Sequence, residues 1–274
     1  MPARWKLRAT KFLPKDTDPD GAAVLNAYAA WTDKRIDLGM RQQLRQRKEL
    51  ILAGHNPLGW KLAFGGPAAM ERLQITAPLI GFLMHDALLP SGRTISIDNW
   101  TKPAAEPELA VYLGKTLPPG SDRATTMHAI AGLGPAIELA DVDHPSEDVE
   151  GTLARNIYQR HLVTGPCQIL YAGGVLEGSR ARVERSGVEI ADTTDLEALT
   201  GELISIVQHT ANLLGFFGET LDAGQIIIAG SITPPIWVQP GEEIVFHLSR
   251  CEPISIHFPV NKMEPKDSDI IQRL

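Results

Sequence analysis

The stretch Ala105-Glu106-Pro107-Glu108-Leu109-Ala110-Val111-Tyr112-Leu113-Gly114-Lys115 decides how the chain reads. From Glu108 to Leu113 it is mostly apolar and rich in strand formers, and Gly114-Lys115 stops it, which predicts a buried strand. Residues two apart on a strand face the same way, so Glu106 and Glu108 aim their carboxylates at one place. Two anionic groups side by side in a core are costly unless something positive neutralises them. A hard divalent cation, Mg²⁺ or Mn²⁺, suits carboxylate oxygen. On the pattern alone, a Glu-x-Glu pair on a solvated edge strand stays open as the alternative.

A second apolar strand, Gly134-Pro135-Ala136-Ile137-Glu138-Leu139-Ala140-Asp141, carries another carboxylate in its middle. One buried glutamate can be neutralised by a shifted pKa or an arginine, whereas three are harder to hold without a cation. Glu106, Glu108 and Glu138, completed by waters or ligand oxygens, would make an octahedral site with open positions.

Around these strands the pattern predicts helices over residues 22–31 and 40–53, the second closed by Gly54. Arg41, Arg45 and Lys48 form a basic stripe on that second helix, read as a solvated face. Short strands are expected over 59–64, 80–83 and 94–97, a short helix over 124–131, an acidic loop over 141–150 and a helical turn near 152–158. Strands over 168–172 and 181–191 follow, the second folded at Ser186-Gly187. The clearest helix runs over 195–217 before Gly218. Strands over 226–229 and 243–248, joined through Pro240-Gly241, and over 254–258 finish the pattern. A basic arm over residues 1–15 and a polar tail over 264–274 flank it. The expectation is one α+β domain over 1–274, with an N-terminal helical layer to about residue 55 and a strand-rich, metal-binding core over about 56–262.

Composition narrows the function. The 274 residues, 43% hydrophobic and 22% charged, suit a soluble globular chain. A net charge of −7 argues against a nucleic-acid binder. Cys167 and Cys251 match no zinc spacing, which predicts a reducing, cytoplasmic setting, and no apolar run is long enough for a membrane helix. Dinucleotide, phosphate-loop and nucleophile-elbow signatures are absent.

Gly59-Trp60-Lys61-Leu62, Glu106-Pro107-Glu108-Leu109-Ala110, Pro135-Ala136-Ile137-Glu138, Gly230-Ser231-Ile232-Thr233 and Val238-Gln239-Pro240-Gly241-Glu242 occur in that order. Together they resemble the fumarylacetoacetate hydrolase superfamily, in its 2-keto-4-pentenoate hydratase and 4-oxalocrotonate decarboxylase branch. The resemblance implies a mixed β-roll core and a divalent metal held by Glu106, Glu108 and Glu138. It implies substrates that are small 2-oxo acids or 2-hydroxy-dienoates, handled as a metal-stabilised enolate. It also implies a homo-oligomer, and in the related catabolic pathways of aromatic degradation a decarboxylase and a hydratase form a complex. Lys61 takes the place of a charge stabiliser or proton carrier, against the alternative of a lysine snorkelling from a strand. Ser231 and Thr233 are candidates for the substrate carboxylate, or simply a turn satisfied by its hydroxyls.

Two departures from the branch matter. Where it usually carries Pro-Asp-aromatic-Gly, with an aspartate that helps proton transfer, this chain has Pro78-Leu79-Ile80-Gly81. After Asn156, itself a substrate-binding candidate, small residues give way to Ile157-Tyr158-Gln159-Arg160. Arg160 could pair with a second carboxylate on a diacid, and Asp86, His85, His144 or His161 could stand in for the missing acid. The leading expectation is a hydratase-like lyase. The alternatives are a 2-oxo diacid decarboxylase, an acylpyruvate carbon–carbon hydrolase, and a non-catalytic partner of such an enzyme.

Overall fold

The computed structural model describes residues 32–260. The helix expected over 22–31, the basic arm and the polar tail lie outside them. The chain opens with helix α1 (Lys34–Leu52), whose N-cap Asp33 accepts from the Arg35 amide. Its buried residues include Ile36, Met40, Gln43 and Arg47, one stripe at helical spacing. The expected basic stripe is exposed, as Arg41, Arg45 and Lys48 all face solvent. Arg47, one turn round, is instead buried, stacking over Trp60 and pairing with Glu219 at 2.9 Å.

Strand β1 (Pro57–Ala63), helix α2 (Pro67–Leu73) and strand β2 (Leu79–Met84) follow, then the short β3 (Leu88–Leu89) and β4 (Arg93–Thr94). The long pair β5 (Pro103–Leu113) and β6 (Ile130–Asp141) flanks helix α3 (Arg123–Ala129). Helix α4 (Val149–Ala154) and strand β7 (Gln159–Thr164) come next, then the hairpin of β8 (Ala181–Arg185) and β9 (Val188–Thr193). Helix α5 (Leu203–Phe217) precedes β10 (Ile226–Ser231), β11 (Ile236–Trp237), β12 (Glu243–Leu248) and β13 (Ile254–His257).

These strands build two sheets. The larger runs β2-β1-β10-β5-β6-β7-β3, with β11 lying against β5, and the smaller runs β4-β13-β12-β8-β9. Strand β5 is central to the first and buried along almost its whole length, which explains its near-continuous apolar sequence. In the second sheet β12 alternates, with Ile244, Phe246 and Leu248 buried and the residues between them half-buried. Helix α1 crosses α4 closely enough that a Cβ on Gly39 would stand 2.6 Å from Leu153 Cβ. The Gln43 amide donates to the carbonyls of Ile80 (3.1 Å) and Leu153 (2.9 Å), tying α1 to both the sheet and α4.

Four local expectations differ from the structure. The helix expected from residue 195 begins at Leu203, because Gly201 takes φ +91° and the Glu197 carboxylate caps the Leu203 amide at 2.7 Å. The strand expected over 168–172 is 3-10 turn (Ile169–Gly174), with the Gln168 side chain capping Leu170 and Gly173 and Gly174 in the left-handed region. The strand expected over 94–97 shortens to β4. Strands β10 and β12 are not a hairpin, since they sit in different sheets with β11 paired to β5 between them. The β8–β9 hairpin turns at Ser186-Gly187 as expected, both residues at positive φ.

Candidate active site

The register of the large sheet assembles the site. Glu106 of β5 faces Glu138 of β6 across the ladder, and Glu108 faces Ser231 of β10. One ligand atom from each of the three glutamates lies within 4.8 Å of the others. A register shift between Ile228 and Ser231 leaves Gly230 at φ +94°, and its amide donates to Glu108 Oε2 at 2.8 Å. The Pro107 carbonyl accepts from the Ile232 amide at 2.9 Å, closing the same corner.

Lys61 enters from β1, where it pairs with Gly81 of β2. A Cβ at Gly81 would stand 2.9 Å from both Lys61 Cγ and Asn156 Oδ1, so this glycine is the passage through which the lysine stem runs. Lys61 Nζ donates to Glu138 Oε1 and, at 2.9 Å, to the Ile157 carbonyl. That carbonyl is aimed by an unusual backbone: Asn156, Ile157 and Tyr158 all have positive φ, at 58°, 51° and 62°. Three consecutive non-glycine residues there cost on the order of 1–3 kcal/mol each. The Asn156 side chain holds the kink by donating to the Phe82 carbonyl (2.9 Å) and accepting from the Phe82 amide (2.8 Å).

The electrostatics are unbalanced. Glu108, Glu138 and Lys61 are each 1% exposed, so three carboxylates share one ammonium. Burial, then the Glu138 charge, pushes Glu106 up to about 7 against the opposing pull of Lys61. Glu108 is driven well above the usual carboxylate range by burial and by Glu138 and Glu106. Burial also raises Glu138, though the Lys61 contact works against it. Three oxygen donors within one another's reach, under-neutralised, two buried and Glu106 half-buried, are a donor set that fits a hard divalent cation.

Above them lies a cavity of about 700 Å³. Lys61, Glu106 and Glu108 line it, while Glu138 lies beneath, held to Lys61. Ser231 and Thr233 line it too, their hydroxyls donating to the carbonyls of Pro107 (3.3 Å) and Pro234 (3.0 Å). Two of the residues expected at the site do not line the cavity. Asn156 does not face the cavity, because both ends of its amide are spent on Phe82. Arg160 also lies off the cavity, paired with Asp141 and Asp143 at 3.2 Å each.

Leu79 is 1% exposed and packs into the core opposite Ala63. Of the residues weighed as stand-ins for the missing acid, Asp86 pairs with His55 on the exposed surface and His161 stacks on Trp100 at 6.1 Å. His85 is exposed, and only His144 lines the cavity. Sequence reasoning gave no role to Tyr158, Lys102 or Trp237, which also line it. The alternation of β5, continued one residue before its start, could have flagged Lys102, four residues before Glu106.

Comparison with known proteins agrees with this geometry. Residues 61–257 match the family model described as fumarylacetoacetate (FAA) hydrolase C-terminal. The chain is 26% identical over 219 residues to a 4-oxalocrotonate decarboxylase of Pseudomonas putida, covering 79% of this chain and 82% of that one. It is 25% identical over 257 residues to a 2-keto-4-pentenoate hydratase of Paraburkholderia xenovorans LB400, covering 91% of this chain and 88% of the relative. Its fold matches the 4-oxalocrotonate decarboxylase of Pseudomonas putida G7, solved with magnesium and adipate. The TM-score is 0.74 at 22% identity, covering 89% of this chain and all of that one. A fumarylpyruvate hydrolase from Pseudomonas aeruginosa, solved with Mn²⁺ and pyruvate, matches with a TM-score of 0.59 at 14% identity, over 75% of this chain and 91% of that one. Among the described residues no helix is long and apolar enough to cross a membrane. With a mixed two-sheet fold, a carboxylate triad at its centre and a family match over well over half its length, the chain belongs to the fumarylacetoacetate hydrolase family.

Proposed function

We propose that the chain is a single catalytic domain, a divalent-metal-dependent lyase acting on a small 2-oxo acid or its 2-hydroxy-dienoate form. The observation that carries this reading is the convergence of Glu106, Glu108 and Glu138 beside buried Lys61 on one side of a large cavity. The three glutamates would hold Mg²⁺ or Mn²⁺. When bound, the ion supplies Lewis acidity toward the carboxylate and 2-oxo oxygens of a ligand.

The chain's own groups do the rest. Lys61 holds protons at Nζ beside the triad, with two of its three donors engaged by Glu138 and Ile157, and is the group placed to stabilise charge or move a proton. Ser231 and Thr233 offer hydroxyls at the rim nearest Glu108. Phe64 and Tyr158, packed edge to face at 6.5 Å, supply an aromatic wall of the cavity.

The leading reaction is hydration of a 2-hydroxy-dienoate in aromatic degradation, the activity carried by the name of the hydratase relative. Decarboxylation of a 2-oxo diacid is a second reading, because buried Leu79 replaces the acid that the hydratase and decarboxylase branch usually carries for proton transfer, which weakens the case for water addition. Purified chain with Mg²⁺ is incubated with 2-hydroxypenta-2,4-dienoate, then with 2-oxohex-3-enedioate. Loss of dienoate absorbance without CO₂ identifies the hydratase, and CO₂ from the diacid identifies the decarboxylase. No turnover of either by metal-loaded protein would sink both and leave the non-catalytic partner. The same reading places the chain in the cytoplasm as a homo-oligomer, and in a decarboxylase–hydratase complex. Light scattering and co-elution with a hydratase test these assemblies.

A further inference from the structure

Glu108 is held by one hydrogen bond. Among the described residues the Gly230 amide, at 2.8 Å, is the one donor to its carboxylate. That donor belongs to a residue with no side chain of its own to fix it. Gly230 sits at φ +94°, in the gap of the β10–β5 ladder between Ile228 and Ser231, and the ladder to β1 has also ended at Ile228. Contacts from outside the strand therefore decide where its amide points.

The turn that leads from β9 into α5 supplies such a contact. A Cβ on Gly230 would stand 3.0 Å from Thr200 Cγ2 and 3.6 Å from Thr200 Cβ, so the threonine methyl covers the face of Gly230 that a side chain would occupy. The Thr200 hydroxyl is turned away, donating to the Gly201 carbonyl at 3.3 Å. The same turn rests its backbone just beyond the strand that carries Lys61. A Cβ on Gly66 would meet the Leu199 carbonyl oxygen at 3.1 Å, and one on Gly65 the Thr200 carbonyl oxygen at 3.3 Å. Thr200 thus spans the ends of β1 and β10 at the edge of the cavity, which both it and Leu199 line. The turn is itself braced. Leu196 is buried in the core, and the amides of Thr200 (3.2 Å) and Gly201 (2.8 Å) donate to the Glu197 carbonyl. The Glu197 carboxylate in turn caps α5 through the Leu203 amide. A methyl group carried on a braced turn constrains what it touches.

We propose that Thr200 is a positioning residue for the carboxylate triad: its methyl group holds Gly230 in place, and through the Gly230 amide it fixes the Glu108 carboxylate for the cation. The inference rests on the reading that the triad holds a divalent ion. Without the methyl, the peptide between Ala229 and Gly230 is free to turn and carry its N–H away from Glu108. An acid that loses its outer partner is a poorer metal ligand, because that partner sets the direction of its oxygens. Strand register brings the three acids together, and a turn from outside the sheet aims one of them.

The test is a calorimetric titration of the chelator-stripped full chain with MnCl₂, in the parent and in two variants that divide the threonine side chain. Thr200→Ser keeps the hydroxyl and removes the methyl, whereas Thr200→Val keeps a methyl at that place and removes the hydroxyl. Thr200→Ser should weaken Mn²⁺ binding by about three- to tenfold, less than the loss of a direct partner of a metal ligand, and Thr200→Val should stay within about twofold of the parent. Thermal melts in chelator separate this from a loosened fold. A role in stability alone would lower the melt of Thr200→Ser and leave its Mn²⁺ affinity at the parent's value. Unchanged Mn²⁺ affinity in Thr200→Ser, or a Thr200→Val variant as weak as Thr200→Ser, overturns the proposal. No Mn²⁺ binding by the parent overturns the metal-centre reading as well, so the parent's own titration tells the two failures apart.

Discussion

Strand β6 holds two buried carboxylates three residues apart that live in opposite circumstances. Asp141, 3% exposed, accepts from the amides of Thr101 (2.9 Å) and Lys102 (2.8 Å) and pairs with Arg160 at 3.2 Å. Glu138, 1% exposed, has Lys61 alone, and shares that ammonium's field with two further acids. The first is a fully satisfied structural acid that pins the start of β5 to the end of β6. The second belongs to a set whose charge the protein does not balance. Burial of a carboxylate is therefore uninformative by itself, and the count of donors around it separates scaffold from site.

That contrast can be broken most severely at the triad. Glu138→Ala should lower divalent-metal affinity by more than about 100-fold, read as the loss of stoichiometric Mg²⁺ or Mn²⁺ on metal analysis of the purified chain. Lys61→Met comes next. It should cut turnover of the 2-oxo acid by about 10²–10⁴-fold while metal remains bound, which separates proton handling from metal holding. Asp141→Asn should do the reverse, destabilising the fold by about 1–3 kcal/mol in denaturant unfolding while the metal content stays that of the parent.

The mildest test is pH. In the metal-free folded chain Glu106 keeps its proton up to about 7, against an ordinary value of 4.5. Between those values the folded state binds more protons than the unfolded one, so this group's contribution to stability falls as pH rises through that window. Thermal melts in chelator should show the decline. Added Mg²⁺ should flatten it, because protons and the ion compete for the same oxygens and metal binding tightens as pH rises toward 7.

Much of this was readable from residue order. Periodicity located the two long strands, and the period of two put Glu106 and Glu108 on one face. The approach of Glu138 and Lys61 needed cross-strand register, which the spread of short motifs resembling a known family supplied and spacing alone could not. Asn156 and Arg160 lie off the cavity, which sequence could not show because polar residues after a helix look alike. Only coordinates reveal that one clamps the Phe82 backbone and the other answers Asp141 and Asp143. The false start of α5 at residue 195 reflects leucines at helical spacing overriding the warning of Gly201. His144 was one of four candidates for the missing acid, and sequence alone could not separate it from His85, His161 and Asp86, of which it alone lines the cavity.

The kink at Asn156, Ile157 and Tyr158 has a practical side for anyone wishing to make this protein hardier. A glycine at position 157 would relax the local geometry, but it would also strip a buried isoleucine from the core, a loss of about 2–5 kcal/mol that outweighs the relief. The same relaxation would let the carbonyl that steers Lys61 wander, and with it the aromatic wall that Tyr158 supplies. Tension in that short arc and accuracy at the triad are the same property, and sturdier variants should be sought elsewhere in the chain.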